Sequence, residues 1–171
     1  MTLQEIDAVR LCARSLLKKF NVKDPPVNVL EIAKYLQAKI IFSDELPDDV
    51  FGCLLPLKNG KFIIVVNVFT SDTRKIFTVA HEIGHLYLKH YLILDKIYQK
   101  QEKLQISVFD KIKSAKAKME RLANIFAAEL LMPKHLVKRY YWQLGGDIEK
   151  LAETFMVSKE AMEIRIKELK L

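Results

Sequence analysis

Two cysteines in 171 residues, Cys12 and Cys53, stand in unrelated contexts. They leave no disulfide framework and point to reduced thiols, the pattern of a cytoplasmic protein. Long apolar runs are equally scarce. None approaches the roughly 20 residues of a bilayer-spanning helix, and the run from Phe62 to Val66 is strand-sized. The N-terminus carries Glu5 and Asp7 and lacks a basic-then-apolar leader, which argues against secretion. Arginine is missing from Asp95 to Lys118, where seven lysines stand against Asp95, Glu102 and Asp110, a local charge of +4 (7 − 3). Such a band reads more readily as a solvated helix face than as a base reader, for which arginine's fork is the commoner device. Half the residues are apolar, enough for one compact core without staples.

Histidine is also sparse, and two of the four are spaced for chemistry. His81-Glu82-Ile83-Gly84-His85 is an H-E-x-x-H pattern within an apolar-rich segment. On a helix, residues four apart stack on one face, so both imidazoles reach one metal ion while Glu82 lies beside them as a general base. Ser71 and Asp72 are plausible caps for that helix, and Ile76, Phe77, Val79, Ala80, Ile83 and Leu86 give it a buried character. The competing reading is a pair of core histidines. A third ligand is needed, and His90, five residues past His85, points away from the metal face if the helix continues. A later helix from about Lys116 to Met132 carries Glu120 and Glu129. Nine residues apart, they face opposite ways, and only one can look into the site. Glu120 shares its face with Asn124, an amide placed to fix a histidine ring, and small Ala123 and Ala127 permit close helix approach. Glu120 is therefore the expected ligand and Glu129 the runner-up, buried or facing a partner.

The run Arg74-Lys-Ile-Phe-Thr-Val-Ala-His-Glu-Ile-Gly-His85, followed by Glu120-Arg-Leu-Ala-Asn-Ile-Phe-Ala-Ala-Glu-Leu-Leu-Met-Pro133, resembles the ImmA/IrrE family of metallopeptidases. Likeness extends to Pro26–Ala33, to Phe62–Asn67 and to the tail from Leu151. The resemblance implies zinc held by His81, His85 and Glu120, with Glu82 as the catalytic glutamate. It also implies a substrate class: a helix-turn-helix transcriptional repressor, often encoded nearby on a mobile element or in a stress regulon, whose cleavage relieves silencing. A non-cleaving antirepressor or antitoxin-type partner of a DNA-binding regulator is the alternative. Tyr87, Tyr91, His135, Tyr140 and Tyr141 are candidates, by side-chain type alone, for a second oxyanion donor.

The layout in chain order is α+β. Helices are expected over Leu3–Phe20, Asn28–Gln37 and Asp72–His90, with a short strand over Lys39–Phe42. Phe51–Leu57 and Lys61–Asn67 flank Lys58-Asn59-Gly60, a strong hairpin signal. The expectation is a small zincin-like domain at 1–133, its short, mainly antiparallel three-stranded sheet packed on helices that include the HExxH helix. Residues 134–171 form a helical, helix-turn-helix-like extension. Ser158 caps its last helix. At the position of base contacts that helix offers Lys159 but also Glu160 and Glu163, which repel phosphate; direct DNA binding is disfavoured.

Overall fold

The computed structural model describes residues 2–93 and 106–171. Helix α1 (Leu3–Lys19) starts with a capping box, in which Thr2 and Glu5 bond each other's backbone amides. It buries Val9, Ala13, Leu16 and Leu17 along one stripe. Helix α2 (Val29–Tyr35) is capped by Asn28. Strand β1 (Ala38–Ser43) then leads across to the hairpin of β2 (Gly52–Pro56) and β3 (Phe62–Asn67). The hairpin turn closes through Leu57 N–H to the Lys61 carbonyl, 2.8 Å, and Gly60 takes a φ of +74° that favours glycine there.

The sheet order is β1-β3-β2. β2 pairs antiparallel with β3, Gly52 opposite Val66, but β1 pairs parallel with it, Ala38 beside Phe62 through to Ser43 beside Asn67. The sheet is thus mixed, not mainly antiparallel. Alternation along β1 specifies which face is buried, not which direction a distant strand runs, so this pairing is invisible locally. The hairpin places β2 on one side of the central strand, and β1 takes the other.

Helix α3 (Asp72–Tyr87) carries the histidines and is capped by Ser71. It ends earlier than expected: Leu88 is its cap and Lys89 turns left-handed, φ +56°, before a new helical stretch starts at His90. Helix α4 (Ile106–Leu131) starts ten residues before the expected Lys116 and lies across α3. The lysine-rich stretch falls partly at 94–105, outside the described residues. Where α3 and α4 cross, a Cβ on Gly84 would sit 3.2 Å from both the Cα and the carbonyl oxygen of Ala123. That glycine and that alanine let the two backbones approach, and the approach positions Glu120 over the histidines. Fully buried Ile64, Ile83, Phe126, Ala127 and Leu130 form the floor beneath them. Each large apolar side chain buried this way contributes roughly 1.5–3 kcal/mol.

Helices α5 (Lys134–Gln143), α6 (Ile148–Phe155) and α7 (Lys159–Leu169) complete the chain. The α6–α7 turn uses a left-handed Met156 and a Ser158 cap, as a helix-turn-helix would. Yet α7 is tied down. Arg165 is buried, bonds Glu129 and Glu168, and donates to the Met132 carbonyl at 3.0 Å. Lys159 pairs with Glu149 at 2.6 Å. Among the described residues, no helix is long and apolar enough to cross a membrane.

Candidate metal centre

One turn separates His81 from His85 on α3, and their rings converge on the same point. The two Nε2 atoms lie 3.0 Å apart. Glu120, reaching over from α4, places one carboxylate oxygen 3.1 Å from His81 Nε2 and the other 3.4 Å from His85 Nε2. Donors at about 2.0–2.1 Å from a tetrahedral zinc ion are about 3.3–3.4 Å from one another, and these separations of 3.0–3.4 Å bring the three side chains near enough to share one ion. The donor chemistry fits as well: two imidazoles and a carboxylate leave a fourth position open. His81, His85 and Glu120 could therefore hold one metal ion.

Outer contacts aim the rings. His81 Nδ1 lies 2.8 Å from Asn124 Oδ1, an acceptor, so Nδ1 carries the proton and the Nε2 lone pair faces the centre. His85 Nδ1 meets His90 Nδ1 at 3.1 Å. His90 points away only if the helix continues, and it does not: α3 ends at Tyr87. The left-handed turn at Lys89 swings His90 back against His85. No glycine or asparagine marks that turn, so no local signal announced it. His90 is buried, and burial, with the charge of His85 behind it, pushes its pKa down to about 4. At neutral pH it is an uncharged ring with one accepting nitrogen for His85.

Charge shapes the rest of the centre. Glu120 is held well below the ordinary carboxylate range by its hydrogen bonds to His81 and His85. Glu82 is buried beside the pair, and burial raises its pKa despite the opposing pull of both histidines. A carboxylate shifted upward in this way is a better proton acceptor at neutral pH. His81 is pulled two ways. Burial disfavours its protonated form, but the Glu120 hydrogen bond and the charges of Glu82 and Glu120 prevail and raise its pKa above the ordinary 6.5. Proton and metal compete for the same nitrogen. Apparent metal affinity should thus fall about tenfold per pH unit once the pH drops below the His81 pKa. A chelator competition at pH 6 and pH 8 measures this, and equal affinities would contradict it.

The centre opens into a cleft of about 580 Å³ between α3, α4 and the outer edge of β2, lined by Phe51, Gly52, Cys53 and Leu54 on the strand side. Gly52 is required there: a Cβ would meet Thr78 Cγ2 at 2.5 Å and the Val65 carbonyl at 2.6 Å. Arg74 lies across the rim and stacks on the Phe51 ring at 4.6 Å, a contact that sequence spacing could not show. Of the five oxyanion candidates only Tyr91 lines this cleft, among the described residues. Tyr87 bonds Ser15, Tyr140 bonds Asp24, Tyr141 packs near Gly146 and Trp142, and His135 is exposed. Glu129 lies away from the centre, buried between Arg14 and Arg165.

A family model described as the IrrE N-terminal-like domain, peptidase M78, matches residues 54–167. The chain is 28% identical over 132 residues to "Uncharacterized immunity region protein 2" of Bacillus phage phi105, a match covering 77% of this chain and 73% of that protein. Among solved structures it is similar to a "Mycobacterium tuberculosis transcriptional regulator", with a TM-score of 0.66 and 20% identity over 94% of this chain. It spans 46% of that regulator's length, and the likeness is one of fold. The matched segment contains the H-E-x-x-H helix, the Glu120 block and nearly all of the tail; the chain belongs to the ImmA/IrrE family.

Proposed function

We propose that this protein is a zinc-dependent endopeptidase that cuts a regulatory protein, a helix-turn-helix repressor, and so relieves repression. The convergence of His81, His85 and Glu120 at tetrahedral spacing, beside a buried Glu82, carries this reading. The family match and the immunity-region relative support it. In this reading residues 1–133 are a zincin-like catalytic core and residues 134–171 an extension fastened to it by the Arg165–Glu129 pair.

Zinc, when bound, would supply Lewis-acid activation of a water and of the scissile carbonyl. His81, His85 and Glu120 would hold it, and Asn124 and His90 keep the two rings in the tautomers that present Nε2. Glu82 takes a proton from the attacking water as the oxygen bonds to the carbonyl carbon. It then delivers that proton to the leaving amine as the C–N bond breaks. Tyr91, which of the five candidates lines the cleft, is the residue this reading assigns as donor to the developing oxyanion. The outer edge of β2, unpaired among the described residues, pairs with an extended substrate backbone, holding the scissile bond across the cleft.

The direct test incubates the zinc-loaded protein with the helix-turn-helix protein encoded nearest its gene and maps products by mass spectrometry. A single cut abolished by chelation is the expected result. Tight complex formation with no cut by the metal-loaded protein would instead establish the antirepressor alternative. Asn124→Ala should weaken metal binding about 10–100-fold, the usual effect of removing an outer hydrogen-bond partner. Unchanged affinity in a metal titration would remove Asn124 from this role.

A further inference from the structure

A second cavity, of about 630 Å³, opens from the same cleft toward the C-terminal helices. The two share Arg74, Phe77 and Asn124 in their walls, so they adjoin at those three side chains. Its walls are mostly apolar. Ile125, Ala128 and Met132 come from α4, and Val157, Ala161 and Ile164 from the α6–α7 unit. Ile164, 63% exposed, adds apolar surface to this wall. Glu160, an exposed carboxylate, also lines the cavity, and of its arginines Arg10 and Arg165 both bond Glu168 while Arg165 bonds Glu129. Arg74 differs. Among the described residues no carboxylate pairs with it, and it stands at the junction, stacked on Phe51.

Distance fixes how far from the reacting bond this cavity acts. The Phe77 and His81 ring centroids are 6.4 Å apart. An extended chain advances about 3.3 Å per residue, so Phe77, which lines both cavities, stands within about two residues' reach of a ring of the candidate metal centre. Side chains of an extended peptide alternate in direction, so one position at most can drop into it. The volume falls within the roughly 300–1,000 Å³ of ligand pockets and accepts any large apolar side chain.

We propose that the cavity between α3, α4 and α7 is the specificity pocket of the peptidase, taking a large apolar side chain of the polypeptide substrate within two residues of the scissile bond. Arg74 at its mouth donates to a substrate main-chain carbonyl. Specificity is thus set by the C-terminal helices, which lie far in sequence from the H-E-x-x-H motif. This inference rests on the endopeptidase reading, and its test separates the two.

Zinc-loaded protein is given a mixture of synthetic dodecapeptides randomised at every position, and cut sites are read by mass spectrometry. Leucine, methionine, isoleucine or phenylalanine should be enriched at one fixed position within two residues of the cut. Ala161→Phe, which fills the pocket, and Ile164→Lys, a surface change at its wall, should each reduce that preference about tenfold or more. Zinc content should stay unchanged. In parallel, Glu82→Gln protein is used to retain peptides from the same mixture, and the retained sequences are read. If nothing is cut but apolar peptides are retained, and Ala161→Phe abolishes retention, the pocket stands and proteolysis fails. Cutting with an unaltered preference in both pocket variants overturns the pocket and leaves proteolysis standing. Neither cutting nor selective retention overturns both. A change of oligomeric state in Ile164→Lys, with the cleavage preference intact, would show that a second copy of this chain covers the wall, and would overturn the proposal.

Discussion

Glu82→Gln should abolish cleavage while leaving one metal ion bound. The substitution keeps the shape of the side chain and removes its capacity to accept a proton, so the water loses its base. General bases contribute about 10²–10⁴-fold, and loss of at least that factor in kcat is expected. Metal content should hold because His81, His85 and Glu120 converge without help from Glu82. The variant also carries a second signature. The Glu82 charge is one of the causes that raise the His81 pKa. Removing it lowers that pKa, so the metal-free variant should load metal at lower pH than the wild type. Elemental analysis, a chelator titration across pH and a cleavage assay together measure all three effects. Retained activity, or a variant that no longer binds metal, would sink the role assigned to Glu82.

Much of this arrangement was legible in the chain because it is helical and local. The i, i+4 spacing of His81 and His85 puts both rings on one face, and the structure has them 3.0 Å apart at Nε2. The nine-residue spacing of Glu120 and Glu129 is again a helical fact, and the two side chains do point to different neighbours: the histidines for one, Arg14 and Arg165 for the other. The hairpin around Lys58-Asn59-Gly60 was equally local, and it pairs as read.

What failed was non-local or depended on a single backbone angle. The parallel partnership of β1 with β3 joins residues 24 apart, Ala38 with Phe62, and nothing in either strand states a direction. His90 departs from its place on a continuing helix because one lysine, Lys89, adopts a left-handed conformation that lysine rarely favours. The cost of that turn, of order 1–3 kcal/mol, is offset by what it brings in: a buried, uncharged acceptor for the His85 ring. Arg74 on Phe51, and the cavity walled by α4 and α7, likewise arise only when elements distant in sequence meet. Chemistry written on one helix is readable from one helix. Chemistry assembled across helices is not.

The two glutamates of α4 give the sharpest division of labour, and replacing each by alanine should produce opposite losses. Glu120 is 58% exposed at its side chain, and its contacts are the two histidines. Removing it takes away one of three metal donors, so affinity should fall by more than the 10–100-fold typical of an outer-shell loss. Folding of the metal-free protein should change little. Glu129 is the reverse. Its side chain is 1% exposed, Arg14 donates to it at 2.7 Å, and the buried Arg165 bonds its other oxygen. Alanine there leaves the Arg165 guanidinium with the Met132 carbonyl and Glu168 but without its buried counter-charge. Breaking such a pair from one side costs about 3–5 kcal/mol, because the remaining charge stays desolvated. For a chain of this size that corresponds to a Tm lower by about 6–20 °C. The metal site of the folded Glu129→Ala protein should keep its affinity, since no atom of that pair touches the histidines. Thermal melts and metal titrations on both variants therefore form a crossed test. If Glu129→Ala loses metal while still folded, or Glu120→Ala keeps it, the ligand set is wrong and the competing carboxylate takes its place. If both variants lose only stability, the histidines are core residues after all, and the protein acts by binding.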